Sequence, residues 1–535
     1  MVVLSDKQPG DAEQVQPDGS LKARYEALQV NREVFLKRAR AASVLTIPTL
    51  IPPMGHSAVT NLPTPWQGLG ARGVNNLSAK ILMALFPPNS PFFRAQLDAK
   101  LVVSLTDADK TDFEEGLAKT ERIVTSEFEA QAFRPSLFEV IKHLVVGGNV
   151  LLWFPQAGGV KVFHLDSYVV KRDPMGNVLE IVVQEELAPA SLPDDLKALL
   201  KSSAKHNDKN VFRHTGIKRT DKGYEVCQEL NGVRIPGCDY TYPLDAPAWL
   251  PLRWIKVDGE DYGRGYVEEY QGDLQSLETL SRAIVEGSAA AAKVLFLVNP
   301  SGTTSAKTLD ESPNGAIREG NAADVTVLQM NKYNDFKIAL ETIKDISERL
   351  AFAFMLNSAI QRQGERVTAA EIRYMAQELE TTLGGVYSLM SQELQLPLIH
   401  RLMDQMASQK KLPKLPKKSI KLTIITGLEA LGRGNDQDRL NEFMASLQPL
   451  GPQVIAQYLN VSDYIKRSAT SIGIDTTGLI NTPDQVAATQ QQATQQATAS
   501  TLGPEVVKQA GQYITKHGAP PPGVGGPAAQ GTPNG

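Results

Sequence analysis

Cysteine is nearly absent from this chain, with two residues, Cys227 and Cys238, in a length of 535. Two thiols make neither a disulfide framework nor a metal-ligand set, so reduced cysteines in a cytosolic protein and no bound metal are expected. The seven histidines, His56, His143, His164, His206, His214, His400 and His517, are scattered without metal-type spacing. A G-x-x-x-x-G-K-[ST] loop is missing, which excludes the usual P-loop route to ATP, and no G-x-S-x-G elbow accompanies the histidines. The most apolar stretch, 138–154, is too short to span a bilayer and is interrupted by Lys142, His143, Gly147 and Gly148. Charge of one sign is also lacking: 55 Lys and Arg against 59 Asp and Glu leave a net charge of -4. A whole-chain basic footprint is therefore excluded, and any nucleic-acid contact must be local. Acidic pairs such as Glu114 with Glu115, Glu185 with Glu186, and Asp194 with Asp195 read as solvated faces. No enzyme emerges, and no cofactor is expected.

One motif matches letter for letter. Gly68, Gly70 and Gly73 satisfy G-x-G-x-x-G. That fingerprint works where a buried strand feeds the first glycine, because strand and helix together aim backbone N–H groups at a pyrophosphate. Here Pro63, Thr64, Pro65, Trp66 and Gln67 precede it. The reading is a tight loop entering a helix, with a nucleotide-binding enzyme as the alternative.

What the chain does have is length and helical periodicity. At 535 residues it should hold several modules, since single cores stop growing at roughly 250–300 residues. Residues 1–19 are polar and carry Pro and Gly, as in a flexible arm. A helix is predicted over 20–42, with Leu21, Tyr25, Leu28, Phe35 and Leu36 inward. Its basic residues, Arg24, Arg32, Lys37, Arg38 and Arg40, read as a solvated face rather than as phosphate contacts. Prolines make 48–65 an extended segment, and helices follow at 72–86 and 109–133. A shorter helix should start at Ser136, which has the capping-box spacing to Glu139. After Gly148 the period changes to β-type runs at 150–154, 160–165, 168–171, 178–185, 210–219, 224–230 and 233–236, as in a meander. Asn231 and Gly232 join the last two in a hairpin.

From 266 the helical period returns. A helix at 266–292, strands at 294–298 and 325–329, and a returning helix at 336–356 make a helix, insert, helix unit. The first of these helices is acidic, with Glu268, Glu269, Asp273, Glu278 and Glu286 against Arg282. After a polar loop, 357–367, one long helix is predicted over 368–406, capped by Thr368 with Glu371. Ile372, Met375, Leu379, Leu383, Val386, Met390 and Leu394 form its apolar face. Gly384 and Gly385 in its middle each cost about 1 kcal/mol relative to Ala, which suggests a bend or a close neighbour, and Pro397 bends it further. A Lys- and Pro-rich linker, a strand at 420–425 and helices at 439–447 and 453–468 follow. The Gln-, Ala- and Thr-rich and then Gly- and Pro-rich tail, 485–535, lacks the apolar residues to offset chain ordering and is expected to be disordered.

Three strings, SLKARYEALQVNREVFLKRARAASVLTIPTLIPP at 20–53, GERVTAAEIRYMAQELETTLGGVYSLMSQELQLPL at 364–398 and TGLEALGRG at 426–434, resemble the portal, or head-to-tail connector, proteins of short-tailed, podovirus-type bacteriophages. The resemblance implies a mainly helical α+β portal fold of wing, stem, clip and crown, assembled as a ring of identical subunits, usually twelve. On this chain it makes 20–265 the wing, 266–292 and 336–356 the stem helices, and 293–335 the clip. It makes 357–367 a channel-facing loop, 368–411 a long wing and crown helix, and 412–484 the crown. The implied function is the channel for double-stranded DNA packaging and ejection at the capsid vertex of the virion, with assembly in the host cytoplasm. Implied partners are other copies of the chain, the DNA, the terminase large subunit that hydrolyses ATP, tail adaptor and tail tube proteins, capsid and scaffolding proteins, and internal core proteins. No membrane is involved. Arg362, Arg366, Lys293 and Lys332 are the candidates for DNA contact, with intersubunit salt bridges as the alternative for each. A tail adaptor ring is the other structural reading, although adaptors are generally smaller.

Overall fold

In a computed structural model, the described residues are 19–451 apart from 57–58, 89–91, 98–106, 195, 198–210, 292–294, 329–332, 357–368, 384, 413–421 and 427–432, together with isolated positions at 454–469. The chain forms two units, Met1–Leu431 and Gly432–Gly535. Helices of eight or more residues are numbered as α-elements. In chain order the first unit contains α1 (Leu21–Val44), α2 (Leu69–Leu85), β1 (Phe93–Leu97), α3 (Asp107–Ala130) and α4 (Phe133–Gly147). It continues with β2 (Asn149–Trp153), β3 (Lys161–Phe163), β4 (Tyr168–Arg172), β5 (Val178–Leu187), β6 (Val211–Thr220), β7 (Gly223–Leu230), β8 (Val233–Arg234), β9 (Tyr240–Tyr242) and β10 (Trp249–Arg253). Then come α5 (Gln271–Ala291), β11 (Leu295–Val298), β12 (Val325–Leu328), α6 (Tyr333–Ala353), α7 (Ala369–Leu383), α8 (Leu396–Ser408) and β13 (Leu422–Thr426). The second unit opens with α9 (Arg433–Leu447), a polar helix that starts before the predicted 439. Of the helix predicted over 453–468, only isolated positions are described.

The predicted meander is present as the antiparallel order β4-β5-β6-β7-β8, with β9 added to β7. The β7–β8 turn is Asn231-Gly232, where both residues have positive φ, 49° and 83°, as a two-residue hairpin of matching twist requires. A second sheet runs β10-β2-β3, and β1 pairs with the distant β13. α2 and α4 form the centre of the main core, through Val74, Leu77, Ile81 and Leu85 on one and Leu137, Ile141, Leu144 and Val145 on the other.

Several expectations are corrected. Ser136 does not cap a helix, because α4 starts at Phe133 behind the left-handed Ala132. Pro135 lies in that first turn, where a missing N–H breaks no helical bond. The single long helix is broken twice. α7 ends before Gly385, whose left-handed φ of +89° interrupts the helix and starts the next one. A short helix, Val386–Met390, then runs into a wide π turn, Ser391–Gln395, in which the Leu396 N–H reaches back to the Ser391 carbonyl. This widening accommodates Pro397, which supplies no N–H to an ordinary turn. Gly384 and Thr368 lie outside the described residues.

The basic face of α1 is also not simply solvated. Arg32 is 1% exposed and donates to the Asp166 carbonyl at 2.6 Å and the Tyr25 hydroxyl at 2.7 Å, while Arg40 meets the Asp166 carboxylate at 2.9 Å. Both arginines tie α1 to the Leu165–Ser167 turn that leads into β4. A guanidinium on a long stem can be buried wherever acceptors surround its head, which polarity counts do not register.

The G-x-G-x-x-G glycines have a packing role here. Gly68 precedes α2 directly, with no strand before it. A Cβ at Gly70 would stand 2.6 Å from the Leu45 carbonyl oxygen, and one at Gly73 would stand 2.6 Å from the Phe354 ring. The glycines let α2 approach its neighbours closely.

His214 on β6 is buried against the edge of the Tyr25 ring, and neither ring nitrogen has a hydrogen-bond partner among the described residues. Burial lowers its pKa to about 4, with Lys22 adding to the effect. The unfolded chain takes up the proton near pH 6.5 while the folded chain stays neutral. Stability is therefore full above about pH 6.5 and falls as pH drops towards about 4, by at most ~3 kcal/mol. His214→Leu should be close to neutral at pH 7 and more stable than the parent at pH 5. Urea unfolding at the two pH values checks this, and an equal response of parent and variant to acid would refute it.

Candidate functional site

α5 and α6 form an antiparallel hairpin of helices joined through the β11–β12 ladder, whose register runs from Leu295 opposite Leu328 to Val298 opposite Val325. At the base of the hairpin, Leu274 and Leu277 of α5 and Ile346 and Leu350 of α6 are buried in the main core. Arg349 Nη2 donates to Asp273 Oδ1 across the pair at 2.9 Å. Tyr266, in the short Tyr266–Glu269 helix before α5, donates its hydroxyl hydrogen to the Ala353 carbonyl at 2.9 Å and so fixes both ends of the hairpin's root. Further along, Gly287 lets the helices meet, since a Cβ there would stand 2.8 Å from the Phe336 ring.

The segment between β11 and β12 is knitted by Asp324. Its Oδ2 accepts from the Thr303 N–H at 2.8 Å and the Thr304 N–H at 3.2 Å, and from both threonine hydroxyls. The Thr304 hydroxyl oxygen also accepts from the Asn321 N–H at 2.8 Å. A turn-rich stretch with little core of its own is thereby ordered through side-chain to backbone bonds.

The acidic residues of α5 and of the short helix before it are mostly engaged inside the chain. Glu278 accepts from the Trp66 N–H at 2.9 Å and the Gln67 N–H at 3.3 Å, so it anchors the approach to α2. Glu286 pairs with Arg282 at 2.8 Å, Asp273 with Arg349, and Glu268 lies 3.7 Å from Arg38. Glu269 has no ion-pair partner among the described residues, and burial followed by the neighbouring Glu268 charge pushes its carboxyl above the ordinary range. The net negative surface of the helix is thus smaller than its composition suggests. Arg362, Arg366, Lys293, Lys332 and Gly384 lie outside the described residues.

Sequence reasoning missed a different feature. Ile338, Leu340 and Phe352 on α6 are 64%, 55% and 76% exposed, and Val285 on α5 and Phe296 and Leu297 on β11 are exposed too. These residues lie off the face that carries the buried Ile346 and Leu350 and the half-buried Phe336 and Ile343. The available signal was an apolar set on α6 too broad for one face. Among the described residues no helix is long and apolar enough to cross a membrane.

A family described as bacteriophage head to tail connecting protein matches residues 18–480. The portal protein of Enterobacteria phage T3 is 43% identical over 478 residues, 88% of this chain and 89% of its own. The portal protein of Escherichia phage T7 is 42% identical over 494 residues, 90% of this chain and 91% of its own. The portal protein of Enterobacteria phage SP6 is 30% identical over 450 residues, 82% of this chain and 86% of its own. A match spanning both the helical hairpin and the sheet-bearing region, at this identity, makes the chain a member of the bacteriophage head-to-tail connecting proteins, the portal connectors of the capsid vertex.

Proposed function

We propose that the chain is the subunit of a closed ring, twelve-membered as is usual for portals, and that double-stranded DNA is packaged and ejected through the ring's channel. The observation that carries this reading is the surface of the helical hairpin. Ile338, Leu340 and Phe352 stand exposed on a helix whose opposite face is already buried. Large apolar side chains left this exposed along one helix call for a cover, and neighbouring copies of the same hairpin on either side supply one. In this reading 20–265 is the wing, α5 and α6 are the stem, 293–335 is the clip, 357–367 faces the channel, and 412–484 is the crown.

A channel that passes any sequence must hold DNA weakly, because each phosphate neutralised by Lys or Arg adds salt-dependent affinity. The engaged carboxylates of α5 suit a wall that neither grips nor strongly repels the duplex. Arg362 and Arg366 would supply brief contacts, with Lys293 and Lys332 near the clip. The clip would dock the terminase motor, which hydrolyses ATP, and later the tail adaptor and tail tube. Scaffolding, capsid and internal core proteins would meet the ring as the particle assembles in the host cytoplasm. Replacing Arg362 and Arg366 together by Ala is expected to leave rings intact and lower the DNA packaged per capsid several-fold. Packaging equal to the parent would remove both residues from the mechanism.

A further inference from the structure

The second stem helix ends on a residue that ordinarily avoids such a place. The Leu356 N–H reaches back to the Ala351 carbonyl at 2.8 Å and the Met355 N–H to the Phe352 carbonyl at 3.0 Å. This is the bonding of a Schellman stop, whose left-handed position is normally glycine. Here the position is Met355, with φ of 55° and its side chain buried. A side chain in that conformation is strained and persists only where its surroundings over-determine it.

One face of α2 provides those surroundings over successive turns. Gly73 leaves the space that the Phe354 ring fills. One turn on, Asn76 Nδ2 donates to the Phe354 carbonyl at 3.0 Å and the Met355 carbonyl at 3.1 Å. At the next turn, Lys80 Nζ donates to the Met355 carbonyl at 2.9 Å. Lys80 is 8% exposed, and burial lowers its pKa while Glu378 on α7 opposes that shift. Its charge thus sits between the carbonyl end of α6, where the helix dipole favours a cation, and a carboxylate of α7.

On the reading of α6 as a stem helix of a DNA channel, we infer that Lys80 and Asn76 are positioning residues that fix where this helix stops and the direction in which the chain leaves it. They bind no DNA. They fasten the end of the stem to α2, at the centre of the core, and oppose continuation of the helix through Met355. Removing their donors leaves the strain at Met355 without its compensation.

The test uses assembled full-length protein carrying Lys80→Met, Asn76→Ala or Lys80→Arg. Amide hydrogen exchange at Met355 and Leu356 should quicken on the order of tenfold in the first two, the loss expected for a donor bond of ordinary strength. Lys80→Arg should keep the protection. In the same first two variants, rings should form with parent-like circular dichroism while DNA packaged per capsid falls. Asn76→Ala decides the matter should Lys80→Met fail to fold. Unchanged exchange in the folded variants would overturn the inference. Faster exchange with normal packaging would overturn its functional part and leave the channel reading standing. Parent protein that forms no rings would instead sink the channel reading, with the exchange result untouched.

Discussion

Arg32→Ala is expected to destabilise the first unit by about 3 kcal/mol, the largest effect of any single substitution considered. Arg32 is buried and bonds the Tyr25 hydroxyl and the carbonyl of Asp166, with Asp166 Oδ1 at 3.4 Å. Its removal takes a charged donor from the Tyr25 hydroxyl and the Asp166 carbonyl, which keep only their mutual bond at 2.9 Å, and opens a cavity between α1 and the meander sheet. Part of the loss is offset, because Asp166 is half-exposed and keeps Arg40 as a partner. Arg32→Lys should recover little, since one ammonium cannot reproduce a planar fork across several acceptors. Arg40→Ala should cost about 1 kcal/mol, as its partner carboxylate is reached by water. Urea unfolding followed by tryptophan fluorescence measures all three. An Arg32→Ala midpoint equal to the parent would show that the clamp is dispensable.

Ile338→Glu combined with Phe352→Glu should abolish ring formation while leaving the subunit folded. Both side chains are exposed in the subunit, so the substitutions disturb no core contact. In a ring each would be covered by a neighbour, and losing two apolar burials and covering two carboxylates costs about 4 kcal/mol or more per contact. That is roughly a thousand-fold in each association constant, repeated around the ring. Sedimentation should show monomers with parent-like circular dichroism. Rings formed by the double variant would move the subunit contact away from this face of α6.

Elements with strong local periodicity were legible from sequence, and features set by distant partners were not. The helix-insert-helix unit, the meander strands and the Asn231-Gly232 turn follow from spacing and turn chemistry alone. β1 was not predicted because its ladder partner β13 lies at the far end of the first unit, where no local pattern points to it. The breaks at Gly385 and at the π turn before Pro397 were visible as glycine and proline, but their geometry depends on what α7 and α8 pack against. Tyr387 bonds the Ala84 carbonyl and Gln395 bonds the Leu85 carbonyl, so both broken turns are tied to the end of α2. The acidic composition of 266–292 is plain in the sequence but its electrostatics are not, because Glu278 serves the backbone of Trp66 and Gln67 from far along the chain. The same long-range logic hid the Lys80 and Asn76 fastening. Nothing in the sequence of α2 announces that two of its polar residues meet the end of a helix that starts at Tyr333.

The central claim is that this chain closes into a ring around a passage for duplex DNA. Electron microscopy of the purified full-length protein tests it most directly. The account predicts closed rings with a central hole at least about 20 Å across, the width a grooved B-form duplex requires. Monomers alone, or rings whose passage is too narrow for a duplex in every class of particle, would contradict it.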